Sequence, residues 1–228
     1  MEAAIVSQSI EVNLMDGVLC ADFNEGRLII DTGSPVSLGP DVAIQILGNS
    51  VQLLPNLLNY SWAQIKATLP FEAAGLVGVD AFTDSVISLD LKNSTLAVLG
   101  ESIEGPMSSF IMGSPAIRCQ IGEESVLCVV DTGAGLSYLT ERELCESSRF
   151  VGLEQDFHPI LGSFEVETYE LPVTINGKTI VEKFGLAPAE LKTMLEMVDV
   201  GGILGTSFFA HGVLNIDFKN EVVAFDVS

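Results

Sequence analysis

Basic residues are scarce in this chain of 228 residues, which has 10 Lys and Arg against 31 Asp and Glu and a formal net charge of −21. Nucleic acids and anionic membranes present phosphate groups, which proteins bind mainly through Lys and Arg. The composition therefore argues against a nucleic acid or a membrane as a partner.

Targeting and membrane-spanning segments are also missing from the sequence. The N-terminal residues contain no basic stretch followed by an apolar core, so no signal peptide is visible. No apolar run approaches the roughly 20 residues that a membrane helix needs. We therefore expect a cytoplasmic protein, although a trimmed chain would look the same.

Only four cysteines and two histidines are present, and no two cysteines have the spacing of zinc ligands. We therefore expect no metal site. Four cysteines fit free buried thiols in a reducing compartment. Alternatively, Cys119 and Cys128 flank a turn at Gly122 and could pair across a hairpin.

Apolar residues make up 48% of the chain, which is enough for a packed core in one large domain or two small lobes. Alternating apolar and polar segments separated by turn signals such as Asn176-Gly177 predict a protein built mainly of strands. Short helices are predicted over 40–47, between Pro40 and Gly48, and from Pro188 to about Val198.

The clearest feature is the tripeptide Asp-Thr-Gly, which occurs at residues 31–33 and again at 131–133. Each copy follows a short apolar run with strand propensity, and each is followed two residues later by an apolar residue and a serine. One copy could arise by chance. The two copies, one in each half of the chain, each place a carboxylate at the end of a buried strand. Burying a carboxylate there costs free energy, so its presence indicates a function.

A second pattern indicates an internal duplication. Seven of 21 residues are identical when residues 78–98 are set against 205–225, an offset of 127, whereas the Asp-Thr-Gly motifs are offset by 100. The second copy therefore carries 27 extra residues. We expect a first lobe over 1–100, a Gly-, Ser- and Pro-rich linker over 101–114, and a second lobe over 115–228.

These features resemble the aspartic peptidases. Two units in one chain resemble the two-lobed pepsin type, whereas the short units and the Asp-Thr-Gly-Ala at 131–134 resemble the retroviral type. The resemblance implies an all-β fold of two pseudo-twofold lobes, each of double-ψ type with a few short helices. It departs from pepsins in its small size and in the apparent lack of a propeptide. Two lobes in one chain supply both acids, so we expect a monomer.

The resemblance implies that Asp31 and Asp131 are the catalytic residues. Two adjacent carboxyl groups cannot both ionise easily, so they share a proton and activate a water between them, with no cofactor or metal. Glycines in the two motifs let the loops approach closely, and the family's threonines hydrogen-bond across to the opposite lobe. The supporting residues are therefore Thr32, Gly33, Ser34, Thr132, Gly133 and Ala134.

The two halves of this site differ at one position. Ser34 can donate a hydrogen bond to the carboxylate of Asp31, whereas Ala134 cannot do so for Asp131. Because a hydrogen bond to the charged form lowers a pKa, we expect Asp31 to ionise more readily and Asp131 to hold the proton.

A flap over the cleft is expected in the second lobe, because 74 residues separate Asp131 from Gly205 but only 47 separate Asp31 from Gly78. The segment following His158 resembles a retroviral flap tip. The candidate flap residues are Ile160, Leu161, Gly162, Ser163 and Phe164. The alternative is a shortened cover in the first lobe that uses Tyr60 or Trp62.

The sequence thus predicts an aspartic endopeptidase that binds an extended peptide or protein substrate in the cleft between the lobes. The competing interpretations are a catalytically silent peptide-binding module of the same fold and a purely structural β-protein. His158 and His211 are interpreted as surface or loop residues rather than catalytic groups.

Overall fold

A computed structural model describes residues 6–57, 60–105, 107–146, 148–158 and 161–227, and strands dominate it. In the first half, strands are interrupted by one helix and by a single helical turn at Val79–Ala81. The elements are β1 (Val6–Glu11), β2 (Asn13–Met15), β3 (Val18–Phe23), β4 (Gly26–Ile30), β5 (Val42–Ile46), β6 (Asn49–Leu53), β7 (Asn56–Leu57), β8 (Tyr60–Ser61), α1 (Trp62–Thr68), β9 (Gly75–Val77), β10 (Val86–Asp90) and β11 (Thr95–Leu99).

The second half contains the longest strands and the remaining short helices. Its elements are β12 (Ser109–Ile111), β13 (Ser114–Ile121), β14 (Glu124–Val130), β15 (Ser137–Leu139), α2 (Arg142–Glu146), β16 (Arg149–His158), β17 (Gly162–Ile175), β18 (Lys178–Leu186), α3 (Ala189–Glu196), β19 (Gly202–Leu204), α4 (Thr206–Phe209), β20 (Gly212–Asp217) and β21 (Val222–Val227). Strand β12 lies inside the range predicted as a linker.

Each half forms its own sheet, with strand orders β2-β3-β4-β9 and β12-β13-β14-β19-β15-β18-β17-β16. In both sheets the strand that leads into Asp-Thr-Gly runs parallel to a short strand from the echoed apolar-glycine segment, as β4 does with β9 and β14 with β19. The predicted fold class, all-β with two similar lobes, is confirmed.

A third sheet, of order β1-β11-β10-β20-β21, joins the two halves. Within it β10 and β20 are antiparallel, with Val86 opposite Asp217 and Asp90 opposite Val213. The offset of 127 relates Val86 to Val213 and Asp90 to Asp217. Each copy therefore meets the other at equivalent positions, which is the pairing that a pseudo-twofold axis produces.

The helix predicted over 40–47 was wrong, because this segment forms β5 and the turn into β6. Ile44 and Ile46 are buried and their neighbours in β5 are exposed, which is the alternation of a strand. Leu47 and Gly48 have φ angles of 46° and 84°. Positive φ at both positions is typical of a two-residue hairpin turn, so Gly48 belongs to a turn and not to a helix end.

All four cysteines are buried, and none of them forms a disulfide bond. In the hairpin β13–β14, Cys119 lies opposite Val126 and Cys128 lies opposite Ile117, so the two cysteines do not face each other directly. A hydrogen bond with Cys119, together with burial, raises the pKa of Cys128 well above its usual value. The alternative disulfide is therefore not formed.

Among the described residues, no helix has the length and apolarity that crossing a membrane requires.

The largest buried cluster spans both halves, and Phe225 of β21 belongs to it and is 2% exposed. Its ring centroid is 4.9 Å from that of Phe208 and 6.2 Å from that of Phe209. This packing fixes the C-terminal strands of the joining sheet against the second lobe.

Replacing Phe225 by Ala should lower the free energy of unfolding by about 3–5 kcal/mol, because it leaves a cavity among these rings. The measurement is equilibrium unfolding in urea. The matched control is Phe150→Ala, whose ring is 55% exposed, and which should cost less than about 1 kcal/mol. Equal losses in the two variants would contradict this assignment of the core.

Candidate active site

The two Asp-Thr-Gly motifs lie at the ends of β4 and β14, where each chain leaves its sheet. The backbone N–H of Asp31 donates to Val77 O at 2.9 Å, and that of Asp131 donates to Leu204 O at 2.9 Å. The neighbouring strands β9 and β19 thus continue to hold the backbone where the regular pairing ends. Both aspartates are therefore fixed by the strands next to them.

Two buried threonines join the motifs to each other by reciprocal hydrogen bonds. The N–H of Thr32 donates to Oγ1 of Thr132 and the N–H of Thr132 donates to Oγ1 of Thr32, both at 3.1 Å. In turn, the Thr32 hydroxyl donates to Val130 O at 2.7 Å, and the Thr132 hydroxyl donates to Ile30 O at 2.6 Å. Each motif is thereby bound to the strand that carries the other.

The glycines allow each carboxyl group to lie against the opposite loop. A Cβ atom on Gly33 would be only 2.5 Å from Cγ of Asp131, and one on Gly133 would be 2.5 Å from Cγ of Asp31. Real Cβ atoms do not approach other atoms so closely. Any larger residue at either position would force the two aspartates apart.

Each carboxyl group lies against the opposite loop and accepts hydrogen bonds from backbone donors of its own loop. Oδ1 of Asp31 accepts from the N–H groups of Gly33 and Ser34, both at 2.9 Å. Oδ1 of Asp131 accepts from the N–H of Gly133 at 2.8 Å. These contacts hold the pair in a single arrangement at the floor of a cleft.

Burial raises the pKa of both carboxyl groups. Desolvation, followed by the charge of Asp131, raises the pKa of Asp31 well above its usual range. Desolvation also raises the pKa of Asp131, although hydrogen bonds from Gly133, Asp31, Ala134 and Gly33 oppose it. Both shifts favour the protonated form of a carboxyl group in mild acid.

The predicted role of the Ser34 hydroxyl was wrong. Its Oγ donates to Val36 O at 2.7 Å, and only the backbone N–H of Ser34 reaches Asp31. Ala134 also offers a backbone N–H to Asp131. The serine hydroxyl therefore gives Asp31 no advantage in ionising, and which of the two aspartates holds the proton stays a prediction.

Two cavities flank the aspartates, one of about 330 Å³ beside Asp31 and one of about 200 Å³ that reaches both Asp31 and Asp131. The smaller cavity is mainly apolar, and both lobes contribute to its wall. Its apolar lining includes Leu38, Leu57, Ile65, Leu76, Leu191 and Ile203.

The long hairpin β16–β17 lies over this cleft. Asp156 and Phe157 line both cavities, Ser163 lines the larger one and Phe164 the smaller one. Leu161 packs with Phe164 against an apolar cluster of the second lobe. The predicted flap segment is thus close to the two aspartates.

At the end of the hairpin, Gly162 pairs with His158 and has a φ of 76°. Ile160, the remaining predicted flap residue, lies outside the described residues. His158 was interpreted as a surface or loop residue, but it lines the smaller cavity, and burial lowers its pKa to about 4. Its ring therefore stays neutral above about pH 4.

The alternative cover in the first lobe receives less support. Trp62 is 7% exposed and packs inside the first lobe, next to Ile65. Neither Trp62 nor Tyr60 lines the two cavities beside the aspartates. The first lobe instead contributes Leu69 and Phe71, which follow α1, to the wall of the larger cavity.

The sequence analysis missed a contact that ties the hairpin to the body of the second lobe. The hydroxyl of Tyr138, in β15, donates to one carboxylate oxygen of Asp156, and the other oxygen accepts from the N–H of Phe157 at 2.8 Å. Nothing in the sequence distinguishes Asp156 from the other acidic residues.

No group of three or more His, Cys, Asp or Glu side chains suitable for a metal ion occurs among the residues that the structure describes. The two carboxyl groups lie beside a partly apolar cleft.

Comparisons with known proteins establish a relationship of fold. No protein-family model and no curated protein sequence matches the chain. Among solved structures, the aspartic proteinase from Irpex lacteus matches over 97% of both chains, with a TM-score of 0.54 and 11% sequence identity. At this identity the match concerns the fold alone, and the fold of this chain is that of an aspartic proteinase.

Proposed function

We propose that this protein is an aspartic endopeptidase in which Asp31 and Asp131 together activate a water molecule. The observation that carries the proposal is that two buried carboxyl groups, each packed against the opposite loop, line one cavity between two lobes. A purely structural role does not require two carboxyl groups whose mutual repulsion raises the pKa of Asp31.

The proposed reaction uses one proton shared by the pair. The ionised member of the pair takes a proton from a water molecule as that water attacks the peptide carbonyl carbon. The protonated member donates a hydrogen bond to the developing oxyanion. A proton then passes to the leaving nitrogen as the C–N bond breaks, and the pair again holds one proton.

The proposed substrate is an extended segment of a peptide or protein that lies between the hairpin and the two aspartates. An extended peptide can form strand-like hydrogen bonds with a hairpin, and the apolar cavity suits an apolar side chain next to the cleaved bond. A single chain supplies both aspartates, so the proposed active form is a monomer.

The first prediction concerns catalysis by the aspartates. Asp31→Asn and Asp131→Asn should each lower kcat/KM by about a thousandfold or more, because either change removes one of the two carboxyl groups that share the proton. The measurement is cleavage of a denatured protein and of a peptide library at about pH 3–6, with products identified by mass spectrometry.

The matched control is Asp84→Asn, because Asp84 is exposed and lies outside the cleft. It should retain wild-type kcat/KM. Binding of peptides by the wild type without any cleavage would instead indicate a catalytically silent binding module. Cleavage that survives both active-site substitutions would show that other residues do the chemistry.

The second prediction concerns stability and pH. Because the pKa of Asp31 is raised in the folded state, the folded protein binds this proton more tightly than the unfolded chain does, and its stability falls as the pH rises through the raised pKa. Asp31→Asn removes this effect, and its amide can still donate to Asp131.

At about pH 7, Asp31→Asn should therefore be more stable than the wild type, by on the order of 1 kcal/mol. The gain should shrink towards pH 3, where the wild-type pair is protonated. Urea unfolding at several pH values measures the difference, and Asp84→Asn should show no comparable trend. A gain that is the same at all pH values would count against a shared proton.

The third prediction concerns the hairpin. Phe164→Ala should lower kcat/KM for the best peptide by about tenfold, because it removes an apolar wall of the cavity that reaches both aspartates. Phe150→Ala, on the opposite end of the same hairpin, is the control and should leave kcat/KM unchanged. Equal effects of the two changes would argue against substrate contact at Phe164.

A further inference from the structure

A buried carboxylate lies behind the second Asp-Thr-Gly loop, outside the cleft. Glu182, in β18, is only 3% exposed. Its Oε1 accepts hydrogen bonds from the hydroxyls of Ser137 at 2.9 Å and Ser207 at 2.6 Å, and its Oε2 is 3.1 Å from Nε2 of His211. Burying a carboxylate is costly, so three polar partners from two distant parts of the chain indicate a specific role.

The first lobe has a smaller version of the same arrangement. The hydroxyl and the N–H of Ser37 donate to the two carboxylate oxygens of Asp80, at 2.6 Å and 3.0 Å. The hydroxyl of Ser37 also accepts from the N–H of Gly78 at 2.9 Å. A serine thus connects a carboxylate to the glycine that follows β9.

The carboxylate that binds this serine lies at different sequence positions in the two lobes. The offset of 100 relates Ser37 to Ser137, and the offset of 127 relates Asp80 to Ser207. The second lobe therefore has a hydroxyl where the first has its acid. Glu182 lies in β18, and its carboxylate accepts from Ser137 and from Ser207 together.

Only two residues separate this network from Asp131. The Ser137 hydroxyl accepts from the N–H of Gly205 at 3.1 Å, and the adjacent carbonyl, that of Leu204, accepts from the N–H of Asp131 at 2.9 Å. A Cβ atom on Gly205 would lie 2.6 Å from Leu136 O, so this glycine packs directly against the loop that follows the aspartate.

Glu182 is also connected to the hairpin above the cleft. It lies opposite Leu171 of β17, the second strand of that hairpin. One side chain therefore joins the hairpin sheet, the helix α4 and the loop that carries Asp131.

We propose that Glu182 is a positioning residue for Asp131, acting through Ser137 and the backbone of Leu204 and Gly205 in the place that Asp80 fills for Asp31. Its contribution to catalysis rests on the proposed function, whereas its contribution to the geometry of the Asp131 loop does not. A carboxylate placed at position 207 should therefore take over the role of the carboxylate at position 182.

The test uses the full chain with Glu182→Ala, Glu182→Gln and the double variant Glu182→Ala/Ser207→Asp. Glu124→Ala removes an exposed acid and is the matched control. Amide hydrogen exchange of Gly205 and Asp131 is measured by NMR, with Gly78 and Asp31 as references in the first lobe. On the same samples, kcat and KM are measured with a peptide that the wild type cleaves.

Glu182→Ala should speed exchange at Gly205 and Asp131 by about tenfold or more relative to Gly78. It should lower kcat by about 10- to 100-fold with little change in KM, because the aspartate is misplaced while the cleft is retained. Glu182→Gln, whose amide oxygen can still accept from both serines, should stay within about threefold of the wild type in both readouts. The double variant should also recover to within about threefold.

Several results would overturn the inference. Unchanged amide exchange at Gly205 and Asp131 in Glu182→Ala would do so. Faster exchange together with a wild-type kcat would also do so, because it would show that the role of Glu182 is merely structural. A loss of kcat and of exchange protection in Glu182→Gln as large as in Glu182→Ala would assign the effect to the charge of Glu182 rather than to its hydrogen bonds. If Glu182→Ala does not fold, the double variant provides the test. The inference requires that the double variant folds and shows wild-type amide exchange at Gly205 and Asp131.

The two proposals fail in different ways. If the wild type cleaves no peptide, the proposed function fails, and exchange at Asp131 still decides whether Glu182 holds its loop. If the wild type cleaves peptides and the Glu182 variants match Glu124→Ala, the proposed function stands and the positioning role is rejected.

Discussion

The reciprocal hydrogen bonds between Thr32 and Thr132 are the constraint on which the rest of the site depends. Each threonine binds the backbone of the other and the strand that carries the other, and both are 1% exposed. Separating the two loops would leave these buried donors and acceptors without partners, at about 1–3 kcal/mol for each group. Because the loops cannot separate, Asp31 and Asp131 must share one small, desolvated space. Burial in that space raises the pKa of both carboxyl groups, and the charge of Asp131 raises the pKa of Asp31 further.

The joining sheet supplies the same symmetry on a larger scale. Strands β10 and β20 pair so that Ser88 lies opposite Asn215, two positions that the offset of 127 relates. The two lobes therefore approach each other through equivalent residues, which is how a closed twofold interface is built. The hairpin β16–β17 is far longer than the hairpin β5–β6 of the first lobe, and Glu182 lies in the next strand, β18. The two lobes thus differ both in the hairpin beside the cleft and in the carboxylate that the paired serine binds.

The sequence was informative where a residue's role follows from local chemistry. Asp-Thr-Gly at two strand ends, the echoed glycine segments and the helix after Pro188 could all be read from it, and the structure has α3 at Ala189–Glu196. It was misleading where two local structures share a signal, since Gly48 can end a helix or form a hairpin turn. It could not specify contacts across long separations. The Ser34 hydroxyl donates to the carbonyl of Val36. The partners of Glu182 lie up to 45 positions away in the sequence.

The central claim is that the two carboxyl groups titrate as one coupled pair. A ¹³C NMR titration of the carboxyl carbons of Asp31 and Asp131 tests it most directly, with the remaining aspartate in each Asn variant as the reference. The account predicts two steps in the wild type that are separated by more than one pH unit, with the later step well above the usual range of an aspartate. Two independent titrations close to pH 4, unchanged when the other aspartate is replaced, would contradict it.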